Sequence, residues 1–510
     1  MTNWQQSIRA FLHPRVITML FFGFSAGIPL LLIFSSLGLW LREAGLERSA
    51  VTFFSWAALG YSFKFVWAPI VDFLPLPFLS QYLGRRRSWI LVSQIAIIIS
   101  ISLMAMTDPS TGDLQLKMMA FAAIALGFSS ATQDIVIDAY RIESAPPDLQ
   151  ALMSSTYIAG YRIGMLISGA GSLLLASLFG SEMHSYNYDA WKFTYLFMGF
   201  FMLIGIITTL IVNEPKEYKA IEKKYSNYTY IRFFLIFVVA ISCFIGVFLL
   251  SSEVSIHLKN TIQTIVINQN LSNFIVELLR LFLSLIAALS VTIISIKINF
   301  VNKQVFMESY IAPLIDFFQR YGLKLALLLL VLICLYRISD IMLGVISNIF
   351  YQDLGFSKIE IASIVKTFGL IMTIIGGFLG GILSLRFGIM KILYLGALLT
   401  VATNLLFMLL SVYGYNISLL YFVISADNLS AGIASAAFVA FLSRLTNVSY
   451  TAMQYAIFSS LMTLIPKITG GYSGSIVENI GYTNFFFIAS LLGIPVLLVM
   501  FFTNKYLKFD

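Results

Sequence analysis

Fourteen apolar runs, most of them near twenty residues long, follow one another along this chain with short polar joints between them. A helix needs roughly 20 apolar residues to cross the ~30 Å hydrocarbon core of a bilayer. Inside that core only helices and closed barrels satisfy their own backbone hydrogen bonds. The runs fall near residues 16–41, 49–72, 89–107, 117–140, 152–178 and 193–212, then 231–251 and 272–296, then 322–350, 358–384, 389–412, 417–441, 451–475 and 481–503. Six, two and six is the pattern. It divides the chain into an N-terminal six-helix bundle (1–212), a central insertion with two membrane helices (213–321) and a C-terminal six-helix bundle (322–510), an all-α membrane protein.

Composition agrees, because 59% hydrophobic and 11% charged residues over 510 positions is more apolar surface than a soluble domain can hide. The formal charge of +8 does not point to nucleic acid, since the basic residues lie in short joints rather than on one patch. Their distribution gives an orientation. With the N-terminus in the cytoplasm, Arg9, Arg15, Arg85, Arg86, Arg87, Arg141, Lys216, Lys219, Lys223, Lys224, Arg232, Lys297, Lys303, Arg320, Lys324, Arg386, Lys391, Arg444, Lys505 and Lys508 fall inside, and only Arg42, Arg48, Lys117, Lys192, Lys259 and Lys358 outside. That bias predicts an even number of spans with both termini cytoplasmic. Arg9 and Arg15 precede a run that continues to Trp40 without a small-residue cleavage site, so a first span is expected and not a signal peptide. Cys243 and Cys334 lie inside apolar runs and the three histidines in joints, so neither a metal nor a disulfide framework is expected. The middle pair reads as a hairpin on the rim or a tether, with Glu277 and Arg280 placed to neutralise each other.

Charge inside the spans is where function is expected, because each buried ionisable group costs roughly 2.5–3.5 kcal/mol on insertion scales. The fourth run ends Gln133-Asp134-Ile-Val-Ile-Asp138-Ala-Tyr-Arg141-Ile-Glu143. Asp134 and Asp138 share a helix face one turn apart and repel if both are ionised, which suits a site that takes up and releases a proton. Pairing of Asp138 with Arg141 is the structural alternative. Arg162, flanked by Gly160 and Gly164, needs an anion, either Asp134 or a carboxylate on a cargo. Lys64 and Lys366 occupy comparable places in the two halves. Arg337 and Asp340 are spaced to neutralise each other, Asp427 precedes an Asn428 suited to sugar hydroxyls, and Lys467 sits beside Pro466. Tyr157 and Tyr161 are candidates to stack on a sugar ring, whereas Trp56 and Trp67 read as packing.

The second joint carries Ala68-Pro-Ile-Val-Asp72 and then Gly84-Arg85-Arg86-Arg87; the matching joint of the second half reads Gly381-Ile-Leu-Ser-Leu385-Arg386-Phe-Gly388-Ile-Met-Lys391. These resemble the two cytoplasmic signatures of the major facilitator superfamily, with Leu385 where the second acid belongs. The resemblance implies a gating loop of Asp72, Gly84, Arg85, Arg86 and Arg87; anchoring of the arginines at anionic lipid is the alternative. Further strings, Gly23-Phe-Ser-Ala-Gly27-Ile-Pro29, Lys64-Phe-Val-Trp67, Gln133-Asp134 through Arg141, Gly160-Tyr-Arg162-Ile-Gly164, Lys366-Thr-Phe-Gly369 and Asp427-Asn428, make the chain similar to the AmpG-type permeases for anhydromuropeptides. The likeness spans nearly everything but the insertion. It implies two major facilitator-like bundles and proton-driven import, across a bacterial inner membrane, of N-acetylglucosaminyl-anhydro-N-acetylmuramic acid with or without peptide, for peptidoglycan recycling. Asp134 and Asp138 would handle the proton. Arg162, Lys366, Lys64, Gln133, Tyr157, Tyr161, Asp427 and Asn428 would meet the cargo. No cofactor beyond the proton gradient is implied, and a monomer is expected. The acidic string is shared with acetyl-CoA transporters, so a carrier of that or another small anion is the runner-up, and a non-transporting sensor on the same fold a third reading. No Gly-rich loop ending in Gly-Lys-Ser or Gly-Lys-Thr occurs, and no nucleophile, histidine and acid assemble on a soluble face, so neither an ATP-driven pump nor an enzyme is expected.

Overall fold

The computed structural model describes residues 9–46, 59–181, 185–215, 225–263, 269–470 and 473–506, and its regular elements are helices. The chain forms two compact units, Met1–Tyr218 with Phe317–Asp510, and Lys219–Asp316. In the larger unit the N-terminal half runs α1 (Pro14–Glu43), α2 (Leu59–Phe63), α3 (Ala68–Phe73), α4 (Arg85–Ala105), α5 (Asp113–Ser144), α6 (Asp148–Leu178) and α7 (Tyr188–Ile211). The insertion supplies α8 (Asn227–Leu250), α9 (Ser252–Gln263) and α10 (Gln269–Lys297). The C-terminal part continues with α11 (Ala312–Leu335), α12 (Ile338–Asp353), α13 (Ile361–Phe387), α14 (Ile389–Tyr413), α15 (Ile417–Leu445), α16 (Thr451–Gly470), α17 (Ser473–Leu491) and α18 (Gly493–Tyr506).

Among the described residues twelve helical stretches are long and apolar enough to cross a membrane, and each matches one of the fourteen expected runs. The other two runs are not among the twelve. Of 49–72 only 59 onward is described, and there the helix is interrupted by the turn Lys64–Val66; Trp56 lies outside the described residues. The run 451–475 is the 20-residue α16, which holds Pro466.

Backbone contact sets the spacing of helices in the first half. Gly23 and Gly27 of α1 lie against the carbonyls of Tyr157 and Tyr161 on α6, and Gly160 and Gly164 of α6 lie against those of Leu20 and Phe24 on α1. Small residues four apart let two membrane helices touch through their main chains, where packing rather than the hydrophobic effect drives association. The second half uses the same device, with Gly376 and Gly380 of α13 against Leu429 and Ile433 of α15. The internal repeat is also visible in the turns: Gly84 before α4 has φ +86° and Gly388 before α14 has φ +90°, a region glycine enters without steric cost.

Within this unit the halves touch. The site of a Cβ on Gly381 of α13 is filled by Ser155 of α6, and Ile142 and Ala151 join a buried cluster with Ala440, Phe441 and Phe458. In the insertion, Arg280 of α10 closes the end of α8, donating to the Phe248 carbonyl at 2.6 Å and to Ser251 Oγ at 3.2 Å. The side chain of Glu277, its expected partner, lies outside the described residues. Leu279, Phe282, Leu283, Ile286 and Leu289 of α10 are exposed, as a lipid-facing helix requires.

Candidate functional site

Helix α5 carries the acids on one face, and the break between α2 and α3 delivers Lys64 to them. Asp138 stands between two cations: its Oδ2 is 3.8 Å from Lys64 Nζ and its Oδ1 accepts from Arg141 Nη2 at 3.1 Å, with all three side chains less than a tenth exposed. Asp134, one turn away, receives the Tyr157 hydroxyl of α6, while its other oxygen, Oδ1, is buried with no hydrogen-bond donor among the described residues. An oxygen in that position is costly as a carboxylate and comfortable as a carboxylic acid. Arg141 is fully buried. Besides Asp138 it donates to Ser154 Oγ at 3.0 Å and to Ser443 Oγ of the second half at 2.6 Å, and its guanidinium lies 5.2 Å from the centre of the Tyr455 ring.

Of the two partners open to Arg162, Asp134 is not paired with it. Arg162 is half-buried on α6; its recorded polar contact is Met165 Sδ at 4.0 Å, and no acid lies within ion-pair distance of it among the described residues. The charge acting on it most strongly is that of Arg337, whose guanidinium is 3.7 Å from Asp340 at the start of α12. Lys366, in the π turn that opens α13, is exposed and has no ion pair among the described residues. The Tyr157 and Tyr161 rings stand 6.1 Å apart beside Arg162. Lys64 and Lys366, comparable in sequence, are therefore unlike in setting, one neutralised and one open.

Other candidates are occupied in packing. Gln133 is fully buried and gives its amide to Ser25 Oγ at 3.2 Å inside the first half. Asn428 accepts from Thr373 Oγ1 at 2.9 Å, donates to the Ile424 carbonyl and lies against Gly369, which fastens α15 to α13. Asp427 meets the Thr403 hydroxyl and feels the charge of Asp340. Trp67 donates to Thr132 Oγ1 at 3.1 Å and packs on Phe128, as a packing residue should. The side chain of Lys467 lies outside the described residues.

The joint after α3 builds a buried charge cluster across the halves. Arg86 Nε and Nη2 grip both oxygens of Glu143 at 3.0 and 2.6 Å, and Nη2 also reaches Asp72 Oδ1 at 2.7 Å and Thr451 Oγ1 at 2.8 Å. Thr451 donates in turn to Glu143. Asp72 caps α16 of the second half, accepting from the Ala452 and Met453 amides at 3.2 and 2.9 Å. A carboxylate at a helix N-terminus satisfies orphan donors and meets the positive end of the dipole. Arg85 donates to the Asp72 carbonyl, and Arg87 caps the end of α7 at the Thr209 and Leu210 carbonyls. Glu214, just beyond α7, returns the favour by accepting from the Arg86 and Arg87 amides that open α4. All three arginines are thus engaged by protein groups. Burial outweighs those hydrogen bonds and raises the pKa of the Glu214 carboxyl above its ordinary range.

Sequence reasoning placed Asp72, Arg86, Asp138 and Arg141 but did not identify Glu143, Glu214, Ser443, Thr451 and Tyr455 as parts of this assembly. Glu143 stood in the acidic string, two residues after Arg141, and that was its only signal; the rest come from distant helices.

Two helical halves meeting over buried charge define a membrane transporter rather than an enzyme. The model of the Major Facilitator Superfamily matches residues 16–328 and 328–508, and the chain belongs to that family, among its AmpG-type members. It is 30% identical over 497 residues to the AmpG 4 transporter of Rickettsia felis, covering 98% of each chain. It is 28% identical over 505 residues to the anhydromuropeptide permease of Escherichia coli K12, covering 99% of this chain and 82% of that one. Among solved structures it resembles the fucose transporter FucP in the outward conformation (TM-score 0.57, 11% identity, 97% of this chain and 99% of that). The proton:xylose symporter XylE is similar at TM-score 0.54 and 12% identity, over 98% of this chain and 96% of that. At such identities the two structures speak for the fold alone.

Proposed function

We propose that the protein imports anhydromuropeptides, N-acetylglucosaminyl-anhydro-N-acetylmuramic acid with or without its peptide, across a bacterial inner membrane in symport with protons. The observation that carries the proton half is the buried Oδ1 of Asp134, which has no donor among the described residues and lies one turn from an Asp138 already held by two cations. A proton on Asp134 supplies the missing hydrogen and relieves the repulsion between the two acids. The cargo half rests on Arg162 and Lys366, which lack acids among the described residues and suit the carboxylates of a muramyl peptide, with Tyr157 and Tyr161 beside Arg162 for a sugar face. Similarity to the anhydromuropeptide permease of Escherichia coli supports this cargo.

Uptake of radiolabelled anhydromuropeptide into proteoliposomes under an imposed pH gradient tests the reading. Wild type is expected to concentrate the sugar only with the gradient. Asp134→Asn is expected to equilibrate it without concentrating it, and Arg162→Ala to lose most uptake while remaining folded in the membrane. Concentrative uptake by Asp134→Asn at the wild-type rate would remove the proton role, and preferential uptake of acetyl-CoA would replace the cargo.

A further inference from the structure

Arg141 belongs to two structures at once. Toward its own helix it holds Asp138 at 3.1 Å; toward the second half it donates to Ser443 Oγ at 2.6 Å and lies over the Tyr455 ring. It is 0% exposed, and Asp138, Ser443 and Tyr455 are 6%, 4% and 3% exposed. The groups facing Asp138 are Lys64 from the α2–α3 turn, Asp134 and Arg141 from α5, Tyr157 and Tyr161 from α6, and Tyr455 from α16. The two cations do not depend on Asp138 equally. Lys64 also feels the charge of Asp134, whereas Asp138 is the one acid in ion-pair contact with Arg141 among the described residues.

We propose that Arg141 is a positioning residue that ties the charge on Asp138 to the closure of the two halves at the α5–α16 and α5–α15 contacts, so that neutralising Asp138 opens the protein there. A guanidinium does not give up its proton, and two serine hydroxyls and a ring face cannot stand in for a carboxylate around a fully buried cation. Once Asp138 is neutral, Arg141 must reach water or another anion, and either course breaks the Ser443 bond and the Tyr455 contact. The Asp72–Arg86–Glu143–Thr451 cluster closes the same region but does not include Asp138, so among the described hydrogen bonds and ion pairs it is Arg141 that ties this acid to the second half. The inference rests on the reading of the protein as a two-half transporter and adds the element of the fold that answers to the charge on Asp138.

Ala151 reports on this closure, since it is 2% exposed and sits in the cluster shared with Ala440 and Phe441 of the second half. In a chain with Cys243→Ser and Cys334→Ser, Ala151→Cys is labelled with a water-soluble maleimide in permeabilised membranes, with neither cargo nor gradient present. Slow labelling is expected with Asp138 intact and with Asp138→Glu. Labelling at least tenfold faster is expected with Asp138→Asn and with Arg141→Ala. Asp138→Asn in the Arg141→Ala background should add nothing, because the tie is already cut; a general loosening would make the two effects multiply. Protection of Ala151→Cys in Asp138→Asn, or multiplied effects in the double variant, would overturn the proposal. Failure of muropeptide uptake leaves this result standing, so the two readings fail separately.

Discussion

Arg86 shows how unequal single residues are in a site of this kind. It is 1% exposed and divides its guanidinium between Glu143 and Asp72, so it is the cation that both buried acids share. Removing one partner of a buried charge set costs roughly 3–5 kcal/mol, because the others are left uncompensated. Arg86→Ala is therefore expected to lower the melting temperature in detergent sharply. Arg86→Lys should fall between it and wild type, since a single ammonium cannot reproduce the two-pronged grip on Glu143. Equal melting temperatures for Arg86→Ala and wild type would mean that water reaches the cluster. The sequence pointed to Asp72 and the three arginines through a recognisable signature, and to Arg141 through its three-residue spacing from Asp138. It could not point to Ser443, Thr451 or Tyr455, which are ordinary residues until the folded halves bring them to a charge more than 300 positions away. Asp134, one of the two partners open to Arg162, is not paired with it for a related reason. Two charges on neighbouring helices suggest a pair in sequence, but the α1–α6 glycine contact fixes α6 so that Tyr157, and not Arg162, meets Asp134.

At the scale of elements, the glycines do more to place the site than any charged residue. Tyr157, Tyr161 and Arg162 are carried on the face of α6 next to the glycines that touch α1, and a Cβ on Gly160 would press into the Leu20 carbonyl and the Phe24 amide. Backbone cannot rotate away as a side chain can, so even a methyl group must push the helices apart, at a cost of about 1–3 kcal/mol for overpacking. Gly160→Ala should reduce both melting temperature and uptake, whereas Gly377→Ala on α13, where a Cβ meets open space, should change neither. Comparable losses in the two variants would show that close approach does not decide the outcome, since helix propensity alone favours alanine at both positions. Elements were the most legible level in the sequence, because a run of apolar residues of bilayer length has few other fates. What it hid was interruption: the Lys64–Val66 turn and the π turns at Leu32–Ser36 and Ile361–Phe368 leave the hydropathy of their runs unchanged.

For the molecule as a whole, the separation of Lys219–Asp316 from the rest is a functional statement as well as an architectural one. Every acid and cation given a part in proton, cargo or closure lies in the larger unit, and two arginines of the insertion find partners inside it. Arg280 ends α8, and Arg232 lies over the Tyr228 and Phe300 rings at 4.1 and 5.2 Å. Removing residues 219–316 and joining the ends by a flexible glycine–serine linker of about 20 residues therefore removes no group from the site. Such a chain spans ~25 Å on average and lets the two halves find each other without dictating how. The shortened protein is expected to insert, to remain monodisperse in detergent and to keep at least half of the wild-type uptake under a pH gradient. If it inserts and binds muropeptide but no longer transports, the insertion takes part in the rocking of the halves. If it fails to insert, the two extra spans act in assembly, and supplying residues 219–316 as a separate chain should then restore nothing. The hairpin-as-tether reading of the sequence thus becomes a question about motion, answerable with the transporter otherwise intact.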